Sequence, residues 1–201
     1  MLPGMANVAA LLHAARTVLE QSCARALPAV FADWPTADRL RPQQPSSLSV
    51  LGWLAQAARH ALPGPHAALA HAVAEATTGL TWRQTHPEHD VSDAFLERYG
   101  WSEICGLAGP VPSATLACGV LLLGPETHYP PHRHAAAELY VPLSGEAEWQ
   151  CGVGDYVLRT PGSCIVHRPG ESHAMRTFAA PLLALYLWSG EGLDRPAQLT
   201  A

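Results

Sequence analysis

The chain of 201 residues contains no lysine; all twelve of its basic side chains are arginines. A lysine Schiff base, a lysine general base and a phosphate loop built on lysine are therefore excluded. Charge of either sign is sparse, with charged residues at 14% and a net charge of −5. There is no basic tract, which argues against nucleic acid as a partner. The apolar runs are short and interrupted, so no segment is expected to span a membrane. The opening Met1-Leu2-Pro3-Gly4-Met5 lacks a basic region followed by an apolar one. No secretory leader is read there, and the expected location is cytoplasmic. Five cysteines lie far apart, at positions 23, 105, 118, 151 and 164, with no C-x-x-C pair. An odd count without a leader predicts reduced thiols, with Cys118 and Cys164 as small core residues.

What is present divides in two. Up to residue 98 the pattern is helical. Val8, Leu11, Leu12, Ala15, Val18 and Leu19 recur at helical spacing and predict a helix from Met5 to about Ala26, ended by Pro28. Further helices are predicted over Leu48–Leu62, His66–Thr78 and Ser92–Arg98. From residue 99 onward, short β-branched and aromatic runs alternate with Gly and Pro. Strands are predicted over 114–123, 138–143, 147–153, 156–160, 163–167, 173–178 and 182–188, which suggests a sandwich or closed barrel. The helical part is expected to pack on the barrel or on a partner subunit.

The chemistry concentrates in Gly124 to Gly145 and in Pro169-Gly170-Glu171-Ser172-His173. His132 and His134 are two apart, so on an extended strand they face the same way. Glu138 and Tyr140 share a face of the next strand for the same reason. Imidazole with carboxylate suits iron, zinc, manganese, cobalt or nickel rather than calcium or magnesium. His132, His134, Glu138 and His173 are thus the expected ligands of one divalent transition metal, with His167 as the competitor of His173. The remaining histidines, His13, His60, His66, His71, His86 and His89, read as surface or core residues.

The stretch Gly124–Gly145 resembles the first motif of the cupins, and Gly154-Asp155 with Pro169-Gly170-x-x-His173 resembles the second. This implies a mainly β fold, a cupin barrel of the jelly-roll (double-stranded β-helix) kind, preceded by an α-helical N-terminal region. Thr127-His-Tyr-Pro-Pro-His-Arg-His-Ala-Ala-Ala-Glu-Leu-Tyr140, followed by His167-Arg-Pro-Gly-Glu-Ser-His-Ala-Met175, is similar to the bacterial dimethylsulfoniopropionate lyases of the cupin type. The resemblance implies β-elimination of a small carboxylate bearing a sulfonium, giving acrylate and dimethyl sulfide. It implies Tyr140 as the base and Tyr129 as its neighbour in the pocket, and a homodimer. A sulfonium needs a cation-tolerant aromatic wall, for which Trp188, Tyr186 and Trp82 are candidates; His128 is a further candidate for binding substrate. Another cupin enzyme, a dioxygenase or isomerase, shares the same metal cage, as does a non-catalytic binder of small acids.

Overall fold

The computed structural model describes residues 3–25, 30–87 and 89–200. The expected helix end at Ala26 and the stop at Pro28 lie outside the described residues. Helix α1 covers Pro3–Cys23, α2 Leu54–Arg59 after a turn of 3-10 helix at Ser49–Trp53, and α3 Pro65–Ala76. A two-residue strand β1 (Trp82–Arg83) and a short helix α4 (Asp93–Leu96) follow. Ser92 caps α4 by accepting the Phe95 N–H. The barrel strands are β2 (Tyr99–Gly106), β3 (Val111–Pro112), β4 (Leu116–Leu123), β5 (His128–Arg133), β6 (Ala137–Ser144), β7 (Ala147–Cys151), β8 (Val157–Arg159), β9 (Ile165–His167), β10 (His173–Thr177), β11 (Leu182–Ser189) and β12 (Gln198–Leu199).

They form two sheets. The larger runs β1-β2-β4-β11-β6-β9 with β3 beside β2; the smaller runs β12-β5-β10-β7-β8. All pairings are antiparallel except β2 with β3. The protein is mainly β, with a jelly-roll barrel of the cupin kind and helices at its N-terminal end. Among the described residues no helix is long and apolar enough to cross a membrane.

The larger sheet has two occupied faces, and its central strands show why they read as unbroken apolar runs. Every residue of β4 is buried. Val120 and Leu122 point to the helices, where they join Leu11, Leu19, Leu69 and Val73 in one core. Leu121 and Leu123 point into the barrel with Tyr129, Trp149 and Met175. On β11 the same alternation sends Leu183, Leu185 and Leu187 to the helices, and Leu182, Ala184 and Tyr186 inward. On β6 it sends Leu139 and Val141 outward and Tyr140 inward. The glycine that closes the first motif, Gly145, turns the chain from β6 to β7 with φ +76°, and a Cβ there would strike the Pro181 carbonyl. A residue other than glycine is strained at such a φ and has no room.

Two expectations are corrected. Strands β2 and β5 were absent from the predicted set: Gly100, Ser102 and Glu103 break the apolar alternation of one, and Pro130 and Pro131 mask the other. Ser102 is nonetheless fully buried, donating to the Thr81 carbonyl on the helical side. The cysteines are also not all reduced. Cys23 at the end of α1 is bonded to Cys164 just before β9, with Cα atoms 5.5 Å apart; Cys105, Cys118 and Cys151 are free. The bridge removes the thiol argument for a reducing compartment.

A covalent link over 141 residues of sequence separation restricts the unfolded chain strongly. Reduction, or Cys164→Ser, should lower stability by about 2–5 kcal/mol and the melting midpoint by roughly 4–20 °C. Identical melting curves with and without reductant would contradict the bridge.

Candidate metal centre

Strand register assembles the site. β10 pairs with β5 so that His173 lies opposite His132. β6 pairs with β11 and β9 so that Glu138 lies opposite Trp188 on one side and His167 on the other. His134 stands one residue beyond the end of β5. His132, His134, Glu138, His167 and His173 are all buried.

Glu138 is the hub. Its Oε1 accepts a 2.6 Å hydrogen bond from Trp188 Nε1. Its Oε2 lies 2.8 Å from His134 Nε2 and 2.9 Å from His173 Nε2. The other nitrogen of each imidazole is already committed. His132 Nδ1 donates to the Pro130 carbonyl at 2.9 Å, His134 Nδ1 to that of Ala136 at 3.0 Å, and His173 Nδ1 to that of Glu171 at 3.0 Å. A carbonyl only accepts, so these Nδ1 atoms carry a proton, and Nε2 is the atom each ring turns toward the cluster. His173 Nε2 has no hydrogen-bond partner despite its approach to Glu138.

Two imidazole nitrogens against one buried carboxylate oxygen need a shared proton or a metal cation between them. The donor atoms of His134, Glu138 and His173 lie within 4.8 Å of one another. Imidazole and carboxylate donors with backbone-anchored Nδ1–H groups fit a divalent transition metal. Burial alone would raise the Glu138 carboxyl, but its contacts with His134 and His173 outweigh it and hold the group well below the usual range. Burial, and then the charge of His173, push His132 well below its ordinary value. The same two causes, in the same order, lower His167 to about 3. Both rings are therefore neutral near pH 7, as ligands must be.

A cavity of about 660 Å³ opens beside this cluster, and Tyr129, His132, Glu138, Tyr140, Tyr186 and Trp188 are on its wall. The Trp188 ring stacks on His134 at 4.1 Å, and the Tyr129 ring on His132 at 4.0 Å. The Tyr140 phenol is raised well above its ordinary value, first by burial and then by the Glu138 charge. A cation bound by the cluster acts in the opposite sense. Tyr129 is fixed from behind: its hydroxyl lies 2.9 Å from His86 Nε2 and 3.3 Å from the Tyr99 hydroxyl.

Two candidates are not brought here. His128 precedes Tyr129 on β5, and alternation turns it outward. It is exposed and bonded to the Tyr156 hydroxyl at 2.9 Å. Trp82 is 2% exposed in the helical core, donating to Thr77 Oγ1; β1 turns it away from the cavity. His167 remains next to the cluster. Its ring stacks on His173 at 4.1 Å, with Nδ1 3.5 Å from Cys151 Sγ and Nε2 unpartnered. The sequence reading missed His86 and Tyr99. His86 is the buried alternative of its surface-or-core reading, set against the Tyr129 ring, and no spacing rule links residues 43 apart.

The family model described as dimethylsulfoniopropionate lyase matches residues 18–184. The dimethylsulfoniopropionate lyase DddQ of Ruegeria pomeroyi is 33% identical over 126 residues, 63% of this chain and 63% of that protein. The putative dimethylsulfoniopropionate lyase DddL of Cereibacter sphaeroides is 33% identical over 132 residues, 64% of this chain and 54% of that protein. The aligned stretch thus spans 63% and 54% of these relatives' lengths. Among solved structures, a chain from the crystal structures of the DMSP lyases RdDddP and RnDddQII superposes with a TM-score of 0.85 at 32% identity, covering 98% of this chain and 100% of that one. The crystal structure of DddQ from Ruegeria pomeroyi gives 0.81 at 29% identity, covering 100% and 98%.

The Trp188 N–H aims the Glu138 carboxylate. Trp188→Phe keeps the stacked ring but removes the donor, and should weaken metal affinity about tenfold to a hundredfold in chelator competition. An unchanged affinity would show that the bond does not orient the carboxylate.

Proposed function

The chain belongs to the dimethylsulfoniopropionate lyase family, and on that premise we propose that it is a carbon–sulfur lyase cleaving dimethylsulfoniopropionate to acrylate and dimethyl sulfide. The observation that carries this reading is a buried phenol, Tyr140, two residues from Glu138 on the cavity wall. A divalent transition metal held by His134, Glu138 and His173, with His132 beside them, would supply a Lewis acid for the substrate carboxylate.

The residues of the chain do the rest. As the phenolate, Tyr140 Oη takes the proton from the carbon next to the carboxylate and becomes the neutral phenol. The electrons of that C–H bond form the new C=C bond. The C–S bond breaks with its pair going to sulfur, so dimethyl sulfide leaves uncharged and needs no acid. Tyr129, held by His86 and Tyr99, packs the substrate against Tyr140. The faces of Trp188 and Tyr186 border the sulfonium, at about 0.5–2 kcal/mol per aromatic contact. Burial of the Tyr140 side chain keeps bulk water from the phenol.

Tyr140→Phe should keep its metal and lose about 10²–10⁴-fold in turnover, read as dimethyl sulfide in the headspace. His128→Ala, on the outer face, should release it as the parent protein does. Metal-loaded protein that liberates no sulfide above the Tyr140→Phe background would refute the reading.

A further inference from the structure

The end of the cavity away from the histidines carries a carboxylate that the proposed elimination does not use. Glu103 lies on β2 and is on the cavity wall together with Trp101, Tyr186 and Tyr140. Cross-strand register puts it in line with them: Glu103 is opposite Gly119, Gly119 opposite Tyr186, and Tyr186 opposite Tyr140. Three strand steps separate Glu103 from Tyr140, about 14 Å between backbones.

The carboxylate is built into place. The register of β2 on β4 shifts between Glu103 and Cys105, and such a bulge re-aims a side chain. Oε1 accepts from the Ala108 N–H at 2.8 Å and the Gly109 N–H at 2.6 Å. A Cβ at Gly106 would collide with the carboxylate, and one at Gly109 would press on it at 3.1 Å. The loop is therefore shaped around one oxygen. No hydrogen bond among the described residues reaches the other, Oε2. Arg83 shares the cavity wall together with Asp194 and Arg195, and the charges of Arg83 and Arg41 act on the carboxylate. Neither forms an ion pair with Glu103 within 4 Å among the described residues.

Between Glu103 and the cluster the wall is aromatic. A Cβ at Gly119 would meet the Tyr186 hydroxyl at 2.6 Å. The Tyr186 phenol thus lies across β4 over Gly119, the cross-strand partner of Glu103, on the same cavity wall. Burial raises the Glu103 carboxyl above its usual range, as befits a charge short of solvent.

We propose that Glu103 determines specificity for a cationic substrate end, its free oxygen and the Tyr186 face together recognising a sulfonium or quaternary ammonium while the carboxylate end lies at the histidine cluster. The inference takes the orientation of the substrate from the lyase reading and its charge preference from this wall.

Two carboxylates of equal shape test it: 3-(trimethylammonio)propionate and its carbon isostere without the positive charge, 4,4-dimethylpentanoate. Calorimetric titration of the zinc-loaded protein should show tighter binding of the cation. Glu103→Gln retains the acceptor for both loop N–H groups and removes the charge. It should weaken the ammonium probe about tenfold, leave its carbon isostere within about twofold, and raise KM for dimethylsulfoniopropionate more than it lowers kcat. Equal loss for both probes would mark Glu103 as a loop clamp only and overturn the proposal, as would no loss for either. Should the variant not fold, equal affinity of the parent protein for the two probes overturns it on its own. A charge preference that depends on Glu103, in protein that releases no dimethyl sulfide, would sink the lyase reading and leave the cation site standing.

Discussion

The site depends on one arrangement: a buried carboxylate held on one oxygen by an indole N–H and facing two imidazole Nε2 atoms with the other. Glu138 is 2% exposed, and desolvating an anion costs several kcal/mol unless it is compensated. Trp188 offsets part of that cost, and the remainder creates the demand for a cation. The three backbone carbonyls of Pro130, Ala136 and Glu171 complete the logic. By holding a proton on the far side of each ring, they leave Nε2 as the atom that meets a proton or an ion.

That arrangement is possible because the barrel separates two jobs on the same strands. Inward residues of β4, β6 and β11 line a chemical chamber, and outward residues bind the helices. The helical layer is no passive cover. It buries the outer face of the larger sheet, and one covalent bridge ties α1 to the segment entering β9. Tyr129, Tyr99 and His86 extend the centre toward the loop between β1 and α4, so the chamber is supported from residues well before the barrel proper.

Much of this was legible in sequence, for physical reasons that differ from residue to residue. Histidines two apart and a glutamate four residues on are a local pattern, and strand periodicity carried it to the correct face for Glu138 and Tyr140. Gly145 was legible because a turn with positive φ demands it. β4 and β11 were legible as strands but not as two-faced ones, since an unbroken apolar run does not say what covers each side. β2 was missed because buried Ser102 and the cavity-facing Glu103 look like surface residues in a one-dimensional reading. Trp82 and His128 were placed in the pocket by residue type, and the alternation of β1 and β5 turned them away. His86 and the disulfide are contacts across long separations, for which a single sequence carries no signal.

The two-faced strands also bear on how such a chamber can change over generations. On β11, Tyr186 and Trp188 alternate with Leu185 and Leu187, and the neighbours β4 and β6 hold them in register from both sides. Inserting or deleting one residue there would swap every inward side chain for an outward one, emptying the chamber of aromatics and stripping the helices of leucine in a single event. Diversification of the pocket is thereby confined to point replacements on these strands, while length variation is left to the connections at the rim.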